Sequence, residues 1–387
     1  MSDAAEQHDV AIVGAGAVGL LLACLLAQRG VDTVVLERRS APGAAARAFG
    51  IHPPGLAALD AAGVGAAVRG EATVIRAGAA LSGGRRLVQL DLGRRPILAL
   101  PQQRTEAILR ERLAALAPGA VRWGAEVVGL AQDRRGVALT LVDGGCVRAR
   151  RVVGADGVHG RVRSLLGIGL QQRRGTAGYA MADVDEGAAA SRGTTAGDAA
   201  LLHLEPGGIV ESFPLPGGRR RWVVRLAEPA ATIGRERFAR LLDERLTPAP
   251  RLPADAAPSA FLARQRLAVR FAAGSVALAG DAAHEVSPIG GQGMSLGWLD
   301  ALALERAIVR PSPGREPFAA YDRERRPAAA RAMRRAAFNM AMGAPASRPV
   351  LALRLALARA LALPPARDAL LAAFTMRGLG PRARRGR

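Results

Sequence analysis

The sequence predicts an α/β fold: a βαβ layer interrupted by an inserted antiparallel β-sheet and followed by C-terminal helices. Three observations predict it. An apolar run at 10–13 passes through Gly14-Ala15-Gly16-Ala17-Val18-Gly19 into an apolar helical stretch reaching Gly30, and a second apolar run at 33–36 ends on Glu37. Strand, turn and helix return at 274–310. The stretch between them is cut by glycine and proline into short alternating segments, the pattern of an antiparallel sheet. The βαβ layer then draws on 1–71, 101–175 and 264–330, the inserted sheet on 72–100 and 176–263, and a helical region with a basic tail on 331–387.

Each glycine of the first unit has a separate task. Gly14 permits a tight turn, Gly16 lets a pyrophosphate approach the backbone, and Gly19 lets helix and strand pack closely. Unpaired N–H groups of the turn, with the helix dipole, favour negative charge there. Glu37 follows Gly14 by 23 residues, where its carboxylate can accept hydrogen bonds from both hydroxyls of an adenosine ribose. A GxGxxG alone is a weak signal. Flanked by strand and helix, with an acid at this distance, it predicts a Rossmann-like dinucleotide site.

Composition sets the outer limits. At 387 residues the chain can bury a large core and form two joined domains. No apolar run reaches the roughly 20 residues that span a bilayer. The first residues, with Asp3 and Glu6, have neither the basic start nor the apolar centre of a secretion signal, so the expected location is the cytoplasm, with no integral membrane segment. Cys24 and Cys146 suit a reducing compartment and form no ligand cluster, so no metal is expected. A formal net charge of +21 by itself suggests nucleic acid. However, all 54 basic residues are arginines, spread from Arg29 to Arg387 with aromatics at only 3%. That is a coding bias rather than a base-stacking surface, and no nucleic-acid partner is expected.

After Glu37 and Arg38 a loop leads to Arg47, placed for a phosphate contact, and to His52, read first as a packed or solvent-facing residue and second as an active-site group. A short helix over 55–62 ends at Gly63. Segments at 72–100 suggest antiparallel strands, Pro101-Gln102 opens a helix over 107–117, and strands are predicted at 121–130, 137–142 and 146–153. The last of these runs on to Asp156-Gly157, which alone reads as a turn. It stands, though, at the carboxyl end of a buried strand, where open α/β sheets place ligand contacts, and a helix carrying Arg161 and Arg163 follows. Further on, Gly280-Asp281 closes an apolar strand, a loop containing Pro288 crosses, and Gly290-Gly291-Gln292-Gly293-Met294 starts a helix over 294–310. Beyond Pro327 helices are predicted at 328–342, 350–363 and 366–374, read as a cap over the core in preference to a membrane-surface or dimer helix.

Three separated motifs, GAGAVG with Glu37, ADGVHGRVR at 155–163 and GDAAHEVSPIGGQGM at 280–294, are jointly far more specific than any one of them. On them the chain resembles, over roughly 8–335, the class A FAD monooxygenases, the single-component aromatic hydroxylases typified by para-hydroxybenzoate hydroxylase. The resemblance implies FAD as cofactor and NAD(P)H as co-substrate. NADH or NADPH would reduce the flavin, O2 would be captured as a C4a-hydroperoxide, and one oxygen would pass to the substrate. It further implies that Gly14, Gly16, Gly19 and Glu37 hold the ADP half, that Ala15, Ala17, Val18 and Arg38 beside them also bind the cofactor, that Arg47 and Gln102 contact FAD, and that Asp156 helps order the site for reduction. Gly280 and Asp281 would take the ribityl chain and Pro288 would lie against the isoalloxazine. The backbone from Gly290 through Gly291, Gln292 and Gly293 to Met294 would face the N1 and C2=O edge, where a helix N-terminus stabilises the negative charge of reduced flavin. Two positions depart from the pattern: Gly160 where serine is frequent, and Ser295 where asparagine is.

The substrate is less determined. The inserted sheet should form the wall opposite the flavin, with Tyr179, His203 and Phe213 as candidates for it. Tyr179, His203 and His52 are the weak candidates for a catalytic base, and otherwise are core or surface. The apolar composition suggests a small hydrophobic aromatic or polyketide-like substrate, hydroxylated or epoxidised by a monomer or homodimer. Rival readings are an FAD-dependent reductase or halogenase on the same scaffold, although the sequence holds no Trp-X-Trp-X-X-Ile-Pro signature, and a non-catalytic flavin-binding protein.

Overall fold

The computed structural model of the chain describes residues 6–43, 48–93, 95–185, 197–310 and 316–380. Strand Glu6–Val13 lies inside an eight-stranded sheet, parallel to Thr33–Glu37 on one side and to Cys146–Gly154 on the other. Val121–Trp123 extends the sheet beyond Thr33–Glu37, and Val276–Leu278 extends it beyond Cys146–Gly154. Gly136–Leu141 and Val127–Asp133 add an antiparallel flap to Cys146–Gly154. Val10, Ala11 and Ile12 are buried on both faces, which is why the strand reads as an unbroken apolar run rather than an alternating one. Helix Ala17–Ala27 is buried around most of its circumference, with Leu20, Leu21, Leu22 and Leu26 fully enclosed, and helix Gly293–Val309 packs beside it. The chain leaves Glu6–Val13 to build neighbours on both sides, so the crevice beyond Val13 and Gly154 is a topological switch point.

A seven-stranded sheet runs in the order Ser259–Ala263, Ala177–Asp185, Arg219–Arg225, Val210–Leu215, Ala199–His203, Ala77–Ser82, Arg85–Asp91. Its neighbours are antiparallel except for the parallel pair Ala199–His203 with Ala77–Ser82. The period of two gives it two distinct faces. Val210, Trp222 and Val224 point to one, covered by Phe238 and Leu242 of helix Arg235–Asp243. Met181, Leu202, Phe213 and Val223 point to the other, toward the crevice of the first sheet. Residues 72–100 do not all join this sheet. Thr73–Ile75 and Gly50–Ile51 pair instead on either side of Ile97–Ala99, forming a separate three-stranded sheet.

Several expectations need correction. The single strand at 121–130 is two, because Gly124 turns with φ +74° and the halves find different partners: Val121–Trp123 is parallel to Thr33–Glu37, Val127–Asp133 antiparallel to Gly136–Leu141. The helix after Asp156 is only one turn, Val162–Leu165, with Arg161 before its start. The helix expected to begin after Pro327 begins at Ala319 and runs through the proline to Met342. A proline costs one backbone hydrogen bond inside a helix. Here the preceding turns are fixed independently, with Tyr321 donating its hydroxyl to the Leu278 carbonyl (2.6 Å) and Arg325 fully buried. Helices Arg348–Leu361 and Ala366–Phe374 follow, bent by 99° to one another, and no single helix among the described residues is long and apolar enough to cross a membrane.

Candidate active site

A cavity of about 1100 Å³ lies between the carboxyl ends of the first sheet and the inner face of the second. Gly16, Ala17, Val18, Gln102, Gly280, Asp281, Pro288, Gly291, Gly293 and Met294 reach it from the βαβ layer. Gly14, Ala15, Gly19, Glu37, Arg38, Asp156 and Gln292 do not line it, and Arg47 lies outside the described residues.

The turn after the first strand is built by exclusion. At Gly14, φ is +111° and a Cβ would come within 2.4 Å of the Ala155 carbonyl oxygen; at Gly19 it would come within 2.0 Å of the Gly14 carbonyl oxygen. At Gly16 a Cβ would meet nothing nearer than 4.0 Å, so this residue presents bare backbone to the cavity. Glu37 stands at the rim of the turn with its carboxylate accepting from Ala15 N–H (2.8 Å) and from the backbone N–H and Nε of Arg39 (3.1 and 2.9 Å). Burial opposes its charge, but these bonds outweigh burial and hold the carboxyl below its ordinary range. Arg39, and not the exposed Arg38, is the arginine that orders this acid.

Glu106 was invisible to motif reading. Its Oε1 accepts from Ala17 N–H (3.1 Å) and from Gln102 Nε2 (2.8 Å), which puts a carboxylate on the N-terminus of the first helix and fixes Gln102 against the cavity. The only signal was the spacing of four between Gln102 and Glu106 on one helix face.

Asp156 turns inward. Its Oδ2 accepts from Val162 N–H (3.0 Å), tying the loop to the one-turn helix, and burial raises its pKa. A Cβ on Gly160 would stand 2.1 Å from this carboxyl, so glycine in place of the frequent serine is what the Asp156 conformation requires. The second departure has a similar cause. Ser295 Oγ accepts from His52 N–H (3.1 Å), and a Cβ on Gly55 would come within 2.5 Å of that oxygen, leaving no room for a larger side chain.

Asp281 faces the cavity and is accessible from it, yet the surrounding protein raises its pKa, with His284 partly opposing and Glu285 reinforcing the effect. Gly290 and Gly291 follow with φ +90° and +63°, feeding the backbone into helix Gly293–Val309. His52 backs this turn. Its Nε2 is 3.0 Å from the Gly290 carbonyl oxygen, and burial lowers its pKa to about 4, so the imidazole is neutral and acts as a donor to the carbonyl. Gln292 looks away from the cavity and donates to the Ala373 carbonyl (3.2 Å), docking the last helix on the turn.

The opposite wall is the inner face of the seven-stranded sheet, with Met181, Leu202, Glu211, Phe213, Val223 and Phe261 among its residues. Ala358, Leu361, Leu370 and Phe374 of the two last helices close one side. Phe213 is on this wall, packed on Phe49 with ring centroids 5.2 Å apart. Tyr179 and His203 are not. Tyr179 is fully buried beneath Phe261, its hydroxyl accepting from Arg225 (3.3 Å), and burial followed by the charge of Glu211 raises its pKa, so it is packing rather than a base. His203 alternates with Leu202 and Leu204 and therefore points to the back of the sheet, 6.3 Å from Trp222. Glu211, by contrast, faces the cavity, 4% exposed, and sequence reading passed over it.

A family model described as an FAD binding domain matches residues 7–336. The chain belongs to the class A FAD-dependent monooxygenases. This monooxygenase is 33% identical over 342 residues to rifampicin monooxygenase of Streptomyces venezuelae, a match covering 84% of this chain and 69% of that protein. It is 34% identical over 360 residues to the 12-dehydrotetracycline 5-monooxygenase/anhydrotetracycline 6-monooxygenase of Streptomyces rimosus, covering 85% and 68%. It thus spans about two thirds of the length of these curated relatives. The crystal structure of p-nitrophenol 4-monooxygenase PnpA from Pseudomonas putida resembles it with a TM-score of 0.85 at 25% identity, covering 98% of this chain and 100% of that one.

Proposed function

We propose that this monooxygenase uses NAD(P)H and O2 to place one oxygen atom on a small hydrophobic aromatic or polyketide-like molecule. The observation that carries this reading is the continuity of the cavity, from the bare backbone of Gly16 and the Gly290–Met294 turn to an apolar sheet face. Volumes of about 300–1000 Å³ hold drug-sized ligands, so about 1100 Å³ is room for a flavin together with part of a substrate.

FAD, when bound and reduced by the nicotinamide donor, supplies activated oxygen from O2. The chain's own groups bind, orient and shield. The bare backbone of Gly16, where the first helix starts, would receive the pyrophosphate, and Gln102, held by Glu106, would contact it from the neighbouring helix Gln102–Leu116. Glu37, already fixed by Ala15 and Arg39, has acceptor capacity left for the ribose hydroxyls. Asp281 would take the ribityl hydroxyls, and Pro288 would set the plane of the ring. His52 holds the Gly290 carbonyl back, so the turn and the first N–H groups of helix Gly293–Val309 stay aimed at the cavity, where they stabilise negative charge on the ring edge. Leu202, Val223, Phe261, Leu361 and Phe374 exclude water from the space beyond.

The test is direct. The purified chain should be yellow, with FAD released on denaturation, and should show NADH or NADPH oxidation stimulated by 4-nitrophenol or anhydrotetracycline. With labelled dioxygen the product mass should rise by one labelled oxygen. A flavin-loaded protein that consumes the nicotinamide without O2, giving a product two hydrogens heavier, would be a reductase and would overturn the reading.

A further inference from the structure

The apolar wall of the cavity carries an acid that nothing in the fold explains. Glu211 sits on Val210–Leu215, opposite Leu202 on one neighbouring strand and Val223 on the other. It is 4% exposed and lines the cavity, and among the described residues its carboxylate has no hydrogen bond or ion pair. Nearby charges are committed elsewhere: Arg225 donates to Tyr179 Oη and to the Met340 carbonyl (3.3 and 2.8 Å), and Arg221 grips Asp183 through Nε and Nη2 (2.6 and 2.8 Å). Burying a carboxylate among leucine, valine and phenylalanine without a donor costs stability, and a leucine would pack there at no such cost. The missing donor therefore belongs to what fills the cavity.

We propose that Glu211 is the catalytic base of this monooxygenase, receiving the proton of a phenolic or enolic hydroxyl on the bound substrate. The proposal rests on the reading that the cavity holds the molecule to be oxygenated. In the step, the substrate O–H bond breaks and the proton bonds to a Glu211 oxygen. The electron pair stays on the substrate oxygen and spreads to the ortho and para carbons, which become better acceptors of an electrophilic oxygen. After oxygen transfer Glu211 returns its proton to the carbonyl oxygen, and the proton on the newly oxygenated carbon passes to water as its C–H electron pair restores the aromatic ring. One atom of O2 reaches the substrate, the other leaves as water at the expense of the two electrons of NAD(P)H, and the Glu211 carboxylate is regenerated each turn.

Burial raises the Glu211 pKa to about 7, and a base is most effective when its pKa lies near the working pH. The ionisable groups around it are Tyr179 and Arg225 on the same sheet, and Asp183, Arg219 and Arg221 further along it. Arg264, Asp281, Glu285 and His52 face in from the other walls. Of these, His52 stays neutral above pH 5 and cannot mimic a rising limb near neutrality.

The experiment compares wild type with Glu211→Gln, and with Glu211→Asp as the conservative control, all as FAD-loaded protein. The probes are 4-chlorophenol, whose hydroxyl stays protonated at neutral pH so that its own titration does not enter, and its methyl ether, 4-chloroanisole, followed at pH 7 by perturbation of the flavin absorbance. Wild type should bind the phenol at least ~10-fold tighter than the ether, and Glu211→Gln should lose that preference. Hydroxylation kcat should fall about 100-fold in Glu211→Gln, partly restored in Glu211→Asp, and the limb of kcat/KM that rises through about pH 7 should vanish. Retained FAD, read from absorbance, checks that the variants fold. A Glu211→Gln enzyme with the rate, pH profile and phenol preference of wild type overturns the proposal, as does a wild type that binds phenol and ether equally. Lack of nicotinamide oxidation by FAD-loaded wild type with any probe would sink the monooxygenase reading instead, and the binding preference would still decide the role of Glu211.

Discussion

At the scale of single residues, the positions legible in the sequence are those whose demands are local. Gly14 and Gly19 must lack a Cβ whatever surrounds the domain, because the carbonyls that exclude it belong to the turn itself or to the adjoining strand. Glu106 and Glu211 were not legible, because their meaning depends on what stands opposite, an N–H from a helix 89 residues away in one case and an empty space in the other. The direction of His203 depended on strand register, where an error of one residue exchanges the cavity face for the back. Gly160 shows how a departure from a motif becomes readable once its neighbour is placed. Serine at 160 would drive its Cβ into the Asp156 carboxyl and force that side chain off Val162 N–H. Gly160→Ser should therefore cost about 1–2 kcal/mol, from crowding and the lost cap. In an Asp156→Ala background the same substitution should be nearly neutral. Thermal denaturation of the four proteins of that cycle measures the coupling, and additive effects would show that the two side chains do not meet.

At the scale of elements, strong periodicity carried the reading and tertiary anchoring defeated it. The first strand, its turn and its helix were plain because burial on every side leaves an unbroken apolar signal. The helix through Pro327 was not, because what keeps it intact is a buried polar knot that no local pattern announces. Asp300, on helix Gly293–Val309, accepts from Arg325 Nε (2.8 Å), from His284 Nε2 and from Gly280 N–H (3.2 Å), and Arg325 also donates to the Leu379 carbonyl (2.6 Å). Burial alone would raise the Asp300 pKa, but His284 and Arg325 outweigh it and keep the acid ionised. The knot joins the Gly280–Asp281 turn, two long helices and the last described residues, so it positions the Gly280–Asp281 side of the cavity from behind. Arg325→Met would leave the Asp300 charge buried without its cation, and breaking such a pair costs roughly 3–5 kcal/mol. The unfolding free energy should fall by that amount, seen as a lower denaturant midpoint at unchanged slope, and FAD affinity should fall with it. A variant as stable as wild type would mean that the hydrogen bonds Asp300 keeps from His284 and Gly280 suffice without the arginine.

For the whole molecule, the arrangement of two sheets about one cavity gives neighbouring strands opposite responses to pH. On the inner face Glu211 is pushed up to about 7 by burial. On the back face, one strand away, burial and then the nearby Arg220 push His203 down to about 4. An unfolded histidine titrates near 6.5. Between pH 6.5 and 4 the unfolded chain therefore holds a proton at residue 203 that the folded chain refuses, so stability is lost as pH falls through that window. The His203 Nε2 is buried without a partner, so a ring of similar shape that does not titrate loses little at neutral pH. His203→Phe should match wild type at pH 7. From pH 7 to pH 5 it should lose less stability than wild type, by on the order of 2 kcal/mol, as read from urea unfolding at the two values. Because His203 faces away from the cavity, turnover with 4-nitrophenol should not change, whereas a side chain serving as base would abolish it. Equal acid sensitivity of the two proteins would show that His203 is already solvated in the fold. Loss of activity in His203→Phe would mean that residue 203 reaches the cavity and that strand Ala199–His203 presents its other face there.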